Sequence, residues 1–296
     1  MSSVLVEDIL AFLRAKEIAF EYKGNSRLTI SGFSALDEYI EGTITWVKAE
    51  EKWKHKSVIT LAIVQKGVIL PIENQIICES SKEAFFSIIE HYFEDEEKTE
   101  GTIGNGTVIG KNVLLGKNVC IGNNCSITGN VEIGDNTVIS DNVVIRNHVI
   151  IGSGCQIQAL AVIGEDGFGY YEDDYHVKTM IRHHGGVRIG NNVFIGSHVN
   201  IARGTLTDTV ISNGVKIAPS THIGHNNQIG ENAVVICSQL YGSVQLGYNS
   251  YVVGSIIRNQ SAVGQNAVVG MGSVVTKNVE ENCVVYGVPA EVKSNL

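Results

Sequence analysis

Proline is scarce, with 3 in 296 residues. That excludes proline-rich linkers and polyproline segments. No apolar run approaches the ~18 residues a membrane-spanning helix needs, so no membrane span is expected. Basic charge is in deficit: 22 Lys and Arg against 31 Asp and Glu leave a net charge of −9. The electropositive footprint of a nucleic-acid binder is missing. The six cysteines, Cys78, Cys120, Cys125, Cys155, Cys237 and Cys283, show no CxxC spacing. They read as reduced thiols of a cytoplasmic protein. The opening Met1-Ser2-Ser3-Val4-Leu5-Val6-Glu7-Asp8 has no basic region before its apolar residues, so no signal peptide is predicted. What is abundant is glycine, at 32 residues, beside a hydrophobic fraction of 44%. Glycine without proline in so apolar a chain does not signal disorder. It implies something regular.

An acidic run, Glu94-Asp95-Glu96-Glu97-Lys98-Thr99-Glu100, separates two unlike halves. Before it, Leu5, Ile9, Leu10, Phe12 and Leu13 recur at helical spacing. Leu28-Thr29-Ile30 and Val58–Val64 read as strands, and Ser80-x-x-Glu83 as a capping box opening a second helix. Residues 1–100 are therefore expected to form a small α/β domain.

After residue 100 a repeat takes over. Ile103, Ile109, Leu115, Ile121, Ile127, Ile133, Ile139, Ile145, Ile151, Ile157 and Ile163 are spaced by six. The phase resumes at Ile189, again at Ile211, and continues through Leu246 and Val252 to Val275. A smaller side chain, such as Val113, Cys125, Thr137 or Ala161, follows many of these aliphatics four residues later. A period of six fits a β-helix of short strands and tight corners, with the aliphatics stacked inside. Glycines after the aliphatics are expected to relieve crowding at the corners. The chain is thus expected to be mainly β, with the solenoid over 101–280 and a tail over 281–296. Residues 164–188 break the phase as an inserted loop, and four extra residues enter between Ile201 and Ile211.

Val162-Ile163-Gly164-Glu165-Asp166-Gly167-Phe168-Gly169-Tyr170, Arg203-Gly204-Thr205-Leu206-Thr207-Asp208-Thr209 and Ile223-Gly224-His225-Asn226 together resemble the left-handed hexapeptide-repeat acyltransferases, and within them the N-acyltransferases of lipid A synthesis. Ile30-Ser31-Gly32-Phe33 and Gly42-Thr43-Ile44-Thr45-Trp46 are similar to that family's nucleotide-binding domain. The chain departs from the family's usual aspartates at Ala202 and Ala218, from its glycine pair at Ile236-Cys237, and from its further histidine within 256–261. The ending, Gly270–Lys277 and then Tyr286-Gly287-Val288-Pro289-Ala290, resembles CoA-dependent sugar acetyltransferases instead. The resemblance implies a left-handed parallel β-helix. It implies an enzyme moving an acyl group from acyl-CoA to the amine of a nucleotide-linked amino (deoxy)sugar in bacterial surface-polysaccharide synthesis. One alternative is the lipid A enzyme acting on UDP-3-O-(3-hydroxyacyl)glucosamine with an acyl carrier protein thioester. A non-catalytic β-helix binding scaffold is the alternative of another class. Homotrimers with sites in the clefts between subunits are implied by the same resemblance.

Acyl transfer needs a base, and histidine suits that role near neutral pH. His225 lies between Gly224 and Asn226, and the resemblance makes it the base. A coil of three hexapeptides is eighteen residues, which carries His225 to Ser243. Gly242-Ser243 is therefore expected about one strand spacing away, ~4.8 Å, with the Gly242 N–H as oxyanion donor. Substrate contacts are expected from Trp46, Trp53, Asp166, Phe168, Tyr170, His184 and Asn226. Lys48, Lys52 and Lys54 are candidate phosphate partners, and Arg258 and Lys277 are the candidates for the phosphates of CoA. His198, His222 and His225 have a spacing open to a zinc site, but that reading leaves the aromatic loop and the first domain without a role. No metal is expected.

Overall fold

Two helices, with a run of short strands between them, make up the described residues of the first third of the chain. The computed structural model describes residues 3–49, 58–94 and 101–295 and divides into two units, Met1–Lys98 and Thr99–Leu296. In the first, helix α1 (Val6–Ala15) buries Val6, Ile9, Leu10 and Leu13 along one stripe. A four-stranded sheet runs in the order Phe20–Lys23, Gln75–Cys78, Leu61–Gln65, Ile44–Val47. Only its first pair is antiparallel. Leu61 and Ile63 pack with the helices, whereas Ala62 and Val64 join a cluster that includes Val47 and Ile72. The alternation buries both faces of this central strand.

Helix α2 (Ser81–Tyr92) begins after Ser80, but the expected capping box is not formed. The Ser80 backbone has φ −90° and ψ 51°, and its side chain makes no capping bond. A hydroxyl reaches the first-turn N–H groups from an extended N-cap, which this is not. Ser81 is engaged instead: its Oγ accepts the Trp46 Nε1–H at 3.0 Å.

The second unit is a left-handed parallel β-helix. Its coils stack the inward aliphatics in register: Ile127, Ile145, Ile163, Ile201, Ile223, Leu240 and Ile257 follow one another on one face. All seven are fully buried, and each contributes roughly 1.5–3 kcal/mol by removal from water. Corners and glycines divide their tasks differently from the sequence expectation. Left-handed backbone at the corners is supplied mostly by asparagine, with φ between +52° and +60° at Asn118, Asn136, Asn142, Asn226, Asn249 and Asn266. Asparagine tolerates that region, and its amide bonds along the stack, as Asn249 to Asn266 and Asn266 to Asn282, each at 3.0 Å. The glycine after the aliphatic makes room for the next coil. A Cβ on Gly122 would lie 2.3 Å from Asp141 Oδ1 and 2.6 Å from its backbone N.

The coils are also not uniform. Ile223 pairs with Leu240, and Leu240 with Ile257, so these coils have seventeen residues rather than eighteen. The shortened legs turn at Cys237 (φ 43°) and Gly254 (φ 50°). Leu240 and Ile257 are therefore core residues that a strict count of six passes over. The insertion is not an open loop: Tyr170–Glu172 and Lys178–Met180 form an antiparallel hairpin. Glu172 holds it by bonding His176 and, at 3.0 Å, Lys178. Past residue 280, Cys283–Tyr286 adds a parallel strand and Glu291–Asn295 runs antiparallel to it. Among the described residues no helix is long and apolar enough to cross a membrane.

Candidate active site

Four successive coils and the start of the insertion enclose a cavity of about 530 Å³. Asn200 and Ala202 come from one coil, His222, Gly224 and His225 from the next, Tyr241–Ser243 from the third, and Asn259 and Gln260 from the fourth. Asp166, Gly167 and Phe168 close one side.

The seventeen-residue coil places Gly242 itself opposite His225, which corrects the count that led to Ser243. A Cβ on Gly242 would lie 2.6 Å from His225 Nε2, so only glycine leaves the imidazole tip clear. The Ser243 N–H is spent on the His225 carbonyl at 2.8 Å. The Gly242 N–H has no acceptor among the described residues.

The tautomer of His225 follows from Asn226. Asn226 Nδ2 donates to Thr207 O and Oγ1, each at 3.0 Å, which fixes the amide's orientation. Its Oδ1 accepts the Thr205 N–H at 3.0 Å and lies 2.9 Å from His225 Nδ1. An amide oxygen can only accept, so Nδ1 carries a proton, and in the neutral ring Nε2 presents its lone pair to the cavity. Asn226 therefore acts from behind the imidazole. Asn226→Ala should lower kcat at least about tenfold, by analogy with the loss when a histidine's orienting partner is removed. The KM for the acceptor should stay nearly constant in steady-state assays, and an unchanged kcat would remove Asn226 from this role.

His222 lines the same cavity. Burial pushes its imidazole below the usual range, which favours the neutral ring. Asp166 is the one carboxylate of the lining. Its Oδ2 takes the His183 backbone N–H at 3.3 Å, and its Oδ1 lies 3.9 Å from the buried guanidinium of Arg203.

Of the residues expected from sequence, His225, Gly242, Asp166 and Phe168 line the cavity and Asn226 supports it. Tyr170 does not line it. It sits on the hairpin with its ring 5.9 Å from Phe168 and Lys178 over its face. His184 is exposed and also stays outside the lining. Its neighbour His183 is the inward one, 4% exposed, with its ring 5.3 Å from that of His225 in a T-shaped contact. Consecutive residues of extended chain face opposite ways, so only one of the pair reaches the site. Arg258 lies just outside the lining and donates to Thr276 O at 3.3 Å, and Lys277 is exposed. Trp46 is half-buried in the first unit, stacked on Phe85, and lines a separate cavity with Phe33, Lys48 and Phe86. Trp53, Lys52 and Lys54 lie outside the described residues. Among the described residues no three side chains are grouped to hold a metal. Sequence reasoning missed Thr205, His183 and Asn227. Asn227 is fully buried and bonds the carbonyls of both Gly224 and Tyr241.

Residues 130–165 match the family model described as bacterial transferase hexapeptide (six repeats). UDP-3-O-acylglucosamine N-acyltransferase of Janthinobacterium sp. (strain Marseille) is 35% identical over 137 residues, 44% of this chain and 39% of that protein. The enzyme of the same name from Pseudomonas paraeruginosa (strain DSM 24068 / PA7) is 45% identical over 94 residues, 31% of this chain and 26% of that protein. The matches thus span well under half the length of these relatives. Among solved structures, the UDP-N-acetylglucosamine acyltransferase of Francisella novicida superposes with a TM-score of 0.60 at 25% identity, over 66% of this chain and 70% of that one. The corresponding structure from Bacteroides fragilis 9343 gives 0.60 at 24%, over 66% and 74%.

Proposed function

We propose that this left-handed β-helix protein of the hexapeptide-repeat type is a cytoplasmic acyltransferase that moves an acyl group from a thioester to the amine of a nucleotide-linked amino sugar. The observation that carries the reading is the pairing of His225 Nε2, whose ring is held at Nδ1 by Asn226, with the unengaged N–H of Gly242 across one cavity. The amine nitrogen attacks the thioester carbonyl carbon. His225 Nε2 takes the proton that the nitrogen loses, and the Gly242 N–H receives the developing oxyanion. Collapse breaks the carbon–sulfur bond, and the departing thiolate takes the proton from His225. The products are an amide and a free thiol. Asp166, the carboxylate of the lining, suits hydrogen bonding to the amine or hydroxyl groups of the acceptor, and Phe168 offers a face for the sugar.

The names of the relatives weight the acceptor toward a UDP-linked acylglucosamine, the lipid A alternative, over the amino deoxy-sugar suggested by the chain's last residues. Trp46 and its cavity are the proposed nucleotide contact. Arg258 and Lys277 are the proposed contacts to the phosphates of a CoA donor, and the proposed working assembly is a homotrimer. The donor is tested by thermal shift. A ligand held at a hundred times its Kd stabilises by about 2.7 kcal/mol. Coenzyme A is expected to raise the melting temperature by several degrees. A shift produced by holo acyl carrier protein alone would assign the donor to the carrier protein instead.

A further inference from the structure

The row of inward corner residues, four after each aliphatic, is filled by Val, Cys, Ala, Thr or Ser wherever the repeat is regular: Val143, Cys155, Ala161, Thr221, Ala233, Val244, Ser261. Asn227 holds that place after Ile223 and is 0% exposed. Its Nδ2 donates to Gly224 O at 2.6 Å and to Tyr241 O at 2.9 Å, while its Oδ1 is buried without a partner. Reversing the amide would set Oδ1 against two carbonyl oxygens, so the orientation is determined. A buried, unpaired amide oxygen costs roughly 1–3 kcal/mol. The row's usual occupants avoid that cost. A hydroxyl in this row has one proton, given to a single carbonyl by Thr221 and Thr137 and shared between two by Ser255. Only an amide gives each of two carbonyls a proton of its own.

The carbonyl of Tyr241 and the N–H of Gly242 belong to one peptide group. That group is planar and trans, so its C=O and N–H point in opposite directions. Tying the oxygen to Asn227 inside the coil aims the Gly242 N–H outward into the cavity. The same bond polarises the peptide and strengthens that N–H as a donor, by roughly 10–30%. The second bond fixes the peptide leading into His225. We propose that Asn227 is a positioning residue. It acts through the backbone to hold the Gly242 N–H on the oxyanion and to set its separation from His225 Nε2. The proposal rests on the acyl-transfer reading above.

Asn227→Thr and Asn227→Ala test it, because both residues occur natively in this row and the coil accommodates them. Transfer is assayed with the donor selected by thermal shift and UDP-3-O-acylglucosamine as acceptor. The expected order of kcat is wild type, then Thr, then Ala, with Ala down about 10- to 100-fold, since loss of one oxyanion donor costs roughly 10²–10³. KM for donor and acceptor should stay within about twofold, because an oxyanion contact forms only in the transition state. Melting temperatures should not follow the kcat order. Wild-type kcat in both variants, or KM and melting temperature moving in step with kcat, would overturn the proposal. Absence of transfer by the wild-type protein, or full activity of its His225→Ala variant, falls on the acyl-transfer reading and not on Asn227.

Discussion

His225→Ala is expected to lower turnover at least about a hundredfold, the contribution of a well-placed general base, and to leave the melting temperature within a few degrees. The side chain sits on the cavity wall, and its partner Asn226 keeps its own bonds to the Thr205 N–H and to Thr207 without it. The His225 carbonyl keeps its bond to the Ser243 N–H whatever the side chain. The kinetic signature is a fall in kcat at saturating donor and acceptor, because the proton moves only during attack. Turnover close to wild type, measured by free-thiol release, would show that another group takes the proton.

Gly242→Ala is expected to be as damaging while leaving His225 in place. The added methyl would stand 2.6 Å from Nε2 and 2.7 Å from Cε1 of the imidazole. Such contacts force the ring aside or cover its lone pair, and the attacking nitrogen loses its line to both base and oxyanion donor. A loss of about 10²–10³ in kcat is expected, of the order seen when an oxyanion site is disabled. The N–H of residue 242 remains, so the experiment separates geometry from donor count. Circular dichroism should be unchanged. A variant that folds and turns over at the wild-type rate would mean that the reaction does not pass between these two residues.

The solenoid was legible because a period of six admits few other structures and because Ile127, Ile145 and Ile163 keep it strictly. The shortened coils were not. Nothing in Ile236-Cys237-Ser238-Gln239 marks a leg of five, since the core tolerates either length and the positive φ of Cys237 leaves no trace in its identity. The count of eighteen therefore landed one residue from the true partner, although its glycine neighbour was in view. His225 stood out between glycine and asparagine. Asn227 did not, because it occupies a place that elsewhere holds small core residues and its role lies in two carbonyls of the backbone. The exchange of His184 for His183 has the same origin. A doublet in an insertion has no periodicity to say which member faces in. In the first domain the central strands carry apolar residues on both faces, so alternation could not set their ends. The expected strand from Val58 begins only at Leu61.

The hairpin bears on how such a protein can change. Ile163 and Ile201 are paired neighbours on the stack, yet thirty-eight residues of chain separate them, where eighteen separate Ile145 from Ile163. The closure entropy of a chain segment grows only with the logarithm of its length, so doubling the segment costs about 0.6 kcal/mol. Each coil otherwise answers only to the coils beside it. The exposed hairpin of Tyr170–Glu172 and Lys178–Met180 can therefore be lengthened, shortened or exchanged at little cost in closure entropy, while the rungs carrying His225 and Gly242 stay fixed. Recognition and chemistry are separable modules in this architecture, and grafted hairpins offer a direct route to altered acceptor choice.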